Sequence, residues 1–297
     1  MRHKLKLYIL IGLSGAGKST IAKEIVETEE NTIIVSSDAI REELTGKVED
    51  QSKNEEVFKI FHNRIRKGLE NKHNVIADAT NITMKARRAI MMKINGMDVY
   101  KIAYVIPKPF EQCKKDNLLR EHSVPEWVLD KQIRNFQIPF AEEGFDQYTI
   151  YTFHKENRLN EINMFDQMED YDQQNPHHTM TLDNHCKNTY ELFCRFGYQT
   201  KFNIAALLHD YGKLFCKTVD ENGVAHFYSH DSIGSYLVLE NMAELYCKDV
   251  MDVCFLINYH MMPFQWTSEK VREKWKKRFG EYKYELLMNF NECDRAR

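Results

Sequence analysis

Nine consecutive residues, Gly12-Leu-Ser-Gly-Ala-Gly-Lys-Ser-Thr20, carry the spacing GxxxxGKS, which suits the capture of a polyphosphate. Gly12, Gly15 and Gly17, with the small Ser14 and Ala16 between them, let backbone N–H groups approach phosphate oxygens, and the helix that opens at Lys18 points its positive end at them. Lys18 is placed to reach the β- and γ-phosphates of ATP. The Ser19 hydroxyl is placed to ligate Mg²⁺, with Thr20 completing the phosphate-side turn.

Four further acidic or basic positions follow in the N-terminal half. Asp38 in Ser36-Ser-Asp-Ala-Ile-Arg41 lies just past a predicted strand at 32–35, where a general base could accept the proton of an attacking hydroxyl. The same residue could instead cap the helix that starts at Ile40. Arg41, one helical turn on, could hold an anionic group of the acceptor. Asp78 ends a predicted strand at 74–77 and could orient the metal through water. Arg120, in a lid-like helix-turn-helix, could stabilise charge on a transferred phosphoryl group.

A second set of chemically able residues is dispersed over the C-terminal half. His209 and Asp210 are adjacent in Ala205-Ala-Leu-Leu-His-Asp-Tyr-Gly-Lys213, directly after an apolar helical stretch. Burying both groups is costly unless they share a cation. His185, His230, His260 and Asp294 complete a candidate ligand set of imidazoles and carboxylates. That chemistry suits one or two divalent transition metals such as Mn, Fe, Co, Ni, Cu or Zn, with open coordination positions. His177 and His178 could touch phosphate at the entrance of such a site or be solvated linker residues.

The elements needed to position these residues differ between the halves. Short apolar runs at 6–11, 32–35, 74–77 and 99–106 alternate with helical patterns, which predicts an α/β domain built on a doubly wound parallel sheet over 1–153. From about 175 the periodicity is helical almost throughout, as at Ile204, Leu207 and Leu208 or Ile233, Tyr236 and Leu237, so an all-α domain is expected over 160–297. The polar stretch 157–174 is the expected junction. With 41 basic and 44 acidic residues the formal charge is -3, so any nucleic-acid contact must come from a local basic groove. No apolar run approaches the roughly 20 residues of a bilayer span, and a cytoplasmic location without membrane contact is expected. Seven cysteines without a CxxC spacing point to reduced thiols.

The order GLSGAGKST, VSSDAIR, VIADATNIT and NLLREHSVPEWVL resembles the phage-type polynucleotide 5'-kinases. This resemblance implies that Asp38 activates a 5'-hydroxyl, Arg41 contacts the phosphate of the acceptor strand and Arg120 contacts ATP. Ser37 stands where that family often has arginine. The series His185, His209-Asp210 and Asp294 resembles the HD phosphohydrolases, which implies a first metal on those four residues, a second on His230 and His260, and Lys213 facing substrate phosphate. Together the halves resemble bifunctional RNA end-healing enzymes. That implies a 5'-OH kinase joined to a hydrolase of 2',3'-cyclic or terminal 2'/3'-phosphates, with RNA ends as substrates and a separate RNA ligase as a possible partner. A nucleoside or small-molecule kinase fused to an HD nucleotidase, or an ATP-gated HD regulatory protein, are the competing expectations.

Overall fold

The apolar run at the start of the chain forms β1 (Leu5–Ile11), whose last five residues are buried. Continuous burial marks a central strand covered on both faces. In the computed structural model, which describes residues 4–153, 158–176, 179–246 and 249–296, β1 is followed by α1 (Lys18–Thr28), β2 (Thr32–Ser36), α2 (Ser37–Thr45), α3 (Asn54–Glu70) and β3 (Asn74–Asp78). Then come α4 (Met84–Lys93), β4 (Val99–Val105), α5 (Phe110–Leu118), α6 (Glu126–Arg134) and β5 (Gln147–Ile150). The five strands pair in the order β2-β3-β1-β4-β5, all parallel, as the strand-helix alternation predicts. β5 is an edge strand that no sequence signal announces, because none of its four residues is buried and its pattern is not strongly apolar.

Helix starts in this unit follow local hydrogen-bond chemistry. The Ser36 hydroxyl accepts from the Ala39 N–H to cap α2, and the Thr83 hydroxyl accepts from the Ala86 N–H to cap α4. Behind the loops, Arg87 is fully buried and donates from Nε and Nη2 to the Glu143 carboxylate at 2.8 and 2.6 Å. Its Nη1 donates to the Asn81 carbonyl, and Asn81 in turn donates to the carbonyls of Leu10 and Ala77 at the ends of β1 and β3.

The second half is helical: α7 (Glu161–Asp166), α8 (Leu182–Phe193), α9 (Thr200–Leu208), α10 (His230–Tyr246), α11 (Asp249–Tyr259) and α12 (Glu269–Asp294). A short antiparallel ladder, β6 (Thr218–Val219) with β7 (Ala225–His226), interrupts the expected all-α architecture between α9 and α10. α11 buries nine of its eleven residues, so it is the central helix of this half. α12 changes direction at Gly280, which has φ 75.

The chain divides into two compact units, Met1–Gln132 with Glu143–Phe153, and Ile133–Glu142 with His154–Arg297. The boundary is crossed more than once. Segment 133–142 packs in the helical unit because Asn258 satisfies its backbone: the Asn258 side chain accepts from the Ile138 N–H at 2.7 Å and donates to the Phe136 carbonyl at 3.0 Å. The Tyr259 hydroxyl adds a bond to the Ile138 carbonyl, and Phe140 sits edge-on to Phe255, Tyr259 and Phe279.

Substituting Arg87 by Met alone strands the buried Glu143 carboxylate and is expected to lower the stability of the α/β unit by about 3–5 kcal/mol. Replacing both partners, as Arg87→Met with Glu143→Leu, restores much of it. Denaturant titration followed by circular dichroism checks both.

Candidate active sites

The parallel sheet delivers the first site to its carboxyl edge. The loop after β1 passes through Gly15, whose φ is 78 and where an added Cβ would meet the Cys113 carbonyl oxygen at 2.3 Å. Only glycine fits there. Gly17 is a different case: nothing lies within 4 Å of where its Cβ would be, so no protein atom crowds it. Its constraint is the backbone itself, since Gly17 caps α1 in the left-handed conformation at φ 88 and contributes no side-chain hydrogen bond to the helix start. The N–H groups of Thr20 and Ile21 bond to its carbonyl, which fixes where α1 begins.

The Lys18 ammonium folds inside the loop and donates to the Leu13 carbonyl at 2.8 Å. Burial pulls the Lys18 pKa down, while Asp78 and Asp38 oppose that pull. Ser19 donates its hydroxyl to Asp78 Oδ2 at 3.0 Å, so the residue at the end of β3 does meet the loop. Burial raises the Asp78 carboxyl, against Lys18 and the Ser19 hydroxyl, which lower it.

Asp38 lies in the first turn of α2, and because Ser36 caps that helix the Asp38 carboxylate is left for other partners. Arg41 Nη1 donates to Asp38 Oδ1 at 2.8 Å, and Arg120 Nη2 lies 3.8 Å from Asp38 Oδ2. Half of the Asp38 side chain stays exposed, whereas Arg41 is buried and its Nε has no hydrogen-bond partner among the described residues. The structure therefore brings Lys18, Ser19, Asp78, Asp38, Arg41 and Arg120 to one edge. An exposed carboxylate flanked by two guanidiniums beside a phosphate loop can hold an acceptor hydroxyl and take its proton.

In the helical unit, six residues from five separate elements converge. His185 comes from α8, His209 and Asp210 from the end of α9, His230 from the first residue of α10, His260 from just past α11, and Asp294 from the end of α12. Asp210 is the centre. Its Oδ2 lies 3.4 Å from Nε2 of both His185 and His209, and its Oδ1 lies 3.1 Å from His230 Nε2 and 3.7 Å from His260 Nε2. Asp294 Oδ1 adds contacts of 3.0 and 3.3 Å to His185 and His209.

The tautomers make this cluster a cation site. Nδ1 of His209, His230 and His260 each faces the backbone carbonyl three residues earlier, at 2.8, 2.8 and 2.7 Å. A carbonyl only accepts, so each Nδ1 carries a proton, and Nε2 is the ring atom left to face the carboxylates or a cation. The Nε2 atoms of His230 and His260 face each other at 3.2 Å, next to an Asp210 carboxylate oxygen. Such an arrangement, buried, is repulsive until a cation enters it. His185, His209 and Asp294 form one group able to hold a metal ion, and Asp210, His230 and His260 form another. Burial, then the neighbouring His209 and His230, pushes His260 down to about 3, which keeps it neutral and able to ligate. Burial opposes charge on His209, yet Cys186 and Asp210 hold its pKa well above the ordinary value. Burial also opposes charge on Asp210, and Lys213 and His209 overcome it and hold the carboxyl well below its usual range.

Several residues that shape these sites give no sequence signal. Gln132 on α6 accepts from the Ser14 N–H at 2.8 Å and donates to its hydroxyl at 2.9 Å, fixing the phosphate loop from 118 residues away. Gln173 accepts from the buried Lys213 ammonium at 2.8 Å, which also pairs with Asp210 Oδ2 at 2.7 Å. Gly212 lets the turn after Asp210 press on α10, since a Cβ there would lie 2.0 Å from the His230 carbonyl oxygen. Its place two residues after Asp210 is the one available clue. His177 and His178 lie outside the described residues.

Residues 7–139 match the family model of the AAA domain, and residues 182–290 match that of the HD domain. The chain thus carries a P-loop kinase-type domain followed by an HD domain, a pairing that marks it as an enzyme. ATP with Mg²⁺ and a divalent metal are the groups these domains imply. Over 144 residues the chain is 30% identical to L-seryl-tRNA(Sec) kinase of Methanococcus maripaludis, a match covering 47% of this chain and 56% of that protein. The chain spans little more than half the length of this curated relative. Among solved structures it is similar to a chain of the Pnkp1/Rnl/Hen1 RNA repair complex, at 27% identity and a TM-score of 0.40 over 44% of each chain. It is also similar to a fungal RNA kinase, at 18% identity and a TM-score of 0.40 over 53% of this chain and 41% of the other. No helix among the described residues is long and apolar enough to cross a membrane.

Gly15→Ala forces a Cβ against the Cys113 carbonyl in a left-handed backbone, so it is expected to weaken ATP binding at least 10-fold without unfolding the helical unit. Equilibrium binding of a fluorescent ATP analogue, with the metal content of the second site as control, checks this.

Proposed function

We propose that the chain is a bifunctional RNA end-healing enzyme, which phosphorylates a 5'-hydroxyl with ATP and removes a 2',3'-cyclic or terminal 2'/3'-phosphate. The observation that carries this reading is the presence on one chain of two phosphate-handling sites of opposite sense. One pairs a phosphate loop with an acceptor-side carboxylate; the other surrounds a buried carboxylate with metal ligands. A break left by a ribonuclease needs both activities before a ligase can seal it, and a separate RNA ligase is the expected partner. The kinase motifs resemble those of polynucleotide kinases, and the name of the Methanococcus relative gives it an acceptor attached to a transfer RNA.

At the first site, Lys18 and the loop N–H groups hold the β- and γ-phosphates, and Ser19 with Asp78 faces the Mg²⁺ side. Asp38, oriented by Arg41 Nη1, accepts the proton of the attacking hydroxyl. The Arg41 guanidinium adds positive charge on the acceptor side of Asp38, and Arg120 spreads the charge that develops on the transferred group.

At the second site, His185, His209, Asp210 and Asp294 would hold one divalent cation, and His230, His260 and the other oxygen of Asp210 a second. Divalent cations held there would supply a water of lowered pKa and neutralise phosphate oxygens. The backbone carbonyls behind three of the imidazoles fix their tautomers and orientations. Lys213 presents its ammonium beside Asp210, on the lining of the pocket where a phosphate would enter.

A small-molecule kinase fused to an HD nucleotidase is the second reading. The curated match favours it, since the acceptor in that protein's name is a seryl group and not an RNA end. The test is transfer of labelled γ-phosphate to a 5'-OH oligoribonucleotide against free nucleosides, followed by release of phosphate from the same RNA ended in a 2',3'-cyclic or 3'-phosphate. End healing predicts labelling of the oligonucleotide, its loss by at least 100-fold in Asp38→Asn with ATP binding retained, and end dephosphorylation that depends on His209 and Asp210. Labelling of nucleosides alone would overturn it.

A further inference from the structure

The metal-ligand cluster lines a pocket of about 650 Å³ that aromatic side chains line as well. His185, Asp210, Lys213, His230 and Asp294 line it together with His226, Tyr228, Phe264 and Arg295. That volume is in the range of sites that enclose a small ligand.

The aromatic side is prearranged. The rings of His226 and Tyr228 lie parallel, 7° apart, with centroids 5.6 Å from each other. Asp220 Oδ2 fixes the His226 ring at 3.1 Å, and Asp220 is itself tied to the N–H groups of Asn222 and Val224. The loop that follows is held as well, with the Tyr228 carbonyl accepting from Arg134 Nη1 at 3.1 Å and Ser229 in the left-handed region at φ 64. Yet Tyr228 remains 66% exposed and Phe264 43% exposed. The Arg295 guanidinium, directly after the ligand Asp294, stands 5.9 Å from the Phe264 ring.

Exposed rings beside an imidazole fixed by Asp220, on the lining of a phosphate pocket, have the chemistry of a base platform. Flat π-faces accept any nucleobase, and a guanidinium beside a ring adds an electrostatic contribution. We infer that His226, Tyr228, Phe264 and Arg295 seat the nucleobase of the terminal nucleotide while its phosphate lies among Asp210, Lys213 and the metal ligands. The substrate class at this site is then a nucleoside phosphate ester of any base, and not a sugar or glycerol phosphate. The inference rests on the phosphohydrolase reading of the second site and deepens it.

The test compares two esters that differ only in the base, adenosine 2',3'-cyclic phosphate and methyl riboside 2',3'-cyclic phosphate, with the metal-loaded full chain. The wild type is expected to show a KM at least 10-fold lower for the adenosine ester, the size of effect one stacked base gives. Tyr228→Ala should raise that KM about 10-fold, leave kcat within 2-fold, and leave the methyl riboside ester unaffected. Tyr228→Phe, which keeps the ring, should behave as wild type. Equal losses on both esters, no loss on either, or a changed oligomeric state in sedimentation with unchanged KM would overturn the base seat and leave the hydrolase reading standing. If the metal-loaded wild type cleaves neither ester, the hydrolase reading itself fails and the base seat falls with it.

Discussion

The Asp210 carboxylate, buried with four imidazole nitrogens around it, is the constraint on which the helical unit depends. Each of its oxygens faces a different histidine pair, and three of the four rings are oriented by backbone carbonyls so that they turn Nε2 towards it. Helices that end in such a cluster must be drawn together by something positive. Lys213 supplies one such charge, held between Asp210 and Gln173, and the divalent metal that an HD domain implies would supply the rest. The apolar burial of α11 and the aromatic packing around Phe140 and Phe279 hold the helices at the spacing that keeps these groups in register.

The α/β unit solves a different problem with a different device. Its charges are brought to one edge by the parallel direction of the strands, so the ends of β1, β2 and β3 contribute groups to the same place. Ser36 and not Asp38 caps α2, a small matter of hydrogen bonding with a chemical consequence. A capping carboxylate would be spent on backbone N–H groups. Freed from that task, Asp38 faces Arg41 and Arg120.

How much can be read in the sequence follows from how local each interaction is. The phosphate loop is contiguous, and its glycines mark its path. Their separate reasons emerge only in three dimensions: Gly15 is pressed by the Cys113 carbonyl, whereas Gly17 stands in open space and is needed for its left-handed backbone. The alternation of strands and helices and the helical periodicity of the C-terminal half are legible because they too are local. The His209-Asp210 pair is visible because two polar residues at the end of an apolar helix are out of place there. Gln132 and Gln173 are not, because a neutral amide has no sequence signature and its role comes from a partner 118 or 40 residues away. Position along the chain puts segment 133–142 in the first half, whereas Asn258 and Tyr259, more than a hundred residues later, draw it into the second unit. Edge strand β5, with none of its four residues buried, lacks the apolar run that makes the other strands readable.

The central claim is that the histidine pairs on either side of Asp210 each hold a divalent cation, and elemental analysis of the loaded chain tests it most directly. After saturation with Mn²⁺ or Zn²⁺ and removal of free ion, the wild type should retain about two equivalents, and His260→Ala about one, with its fold intact by circular dichroism. A wild-type chain that retains no metal, or a His260→Ala chain that retains as much as the wild type, would contradict the account.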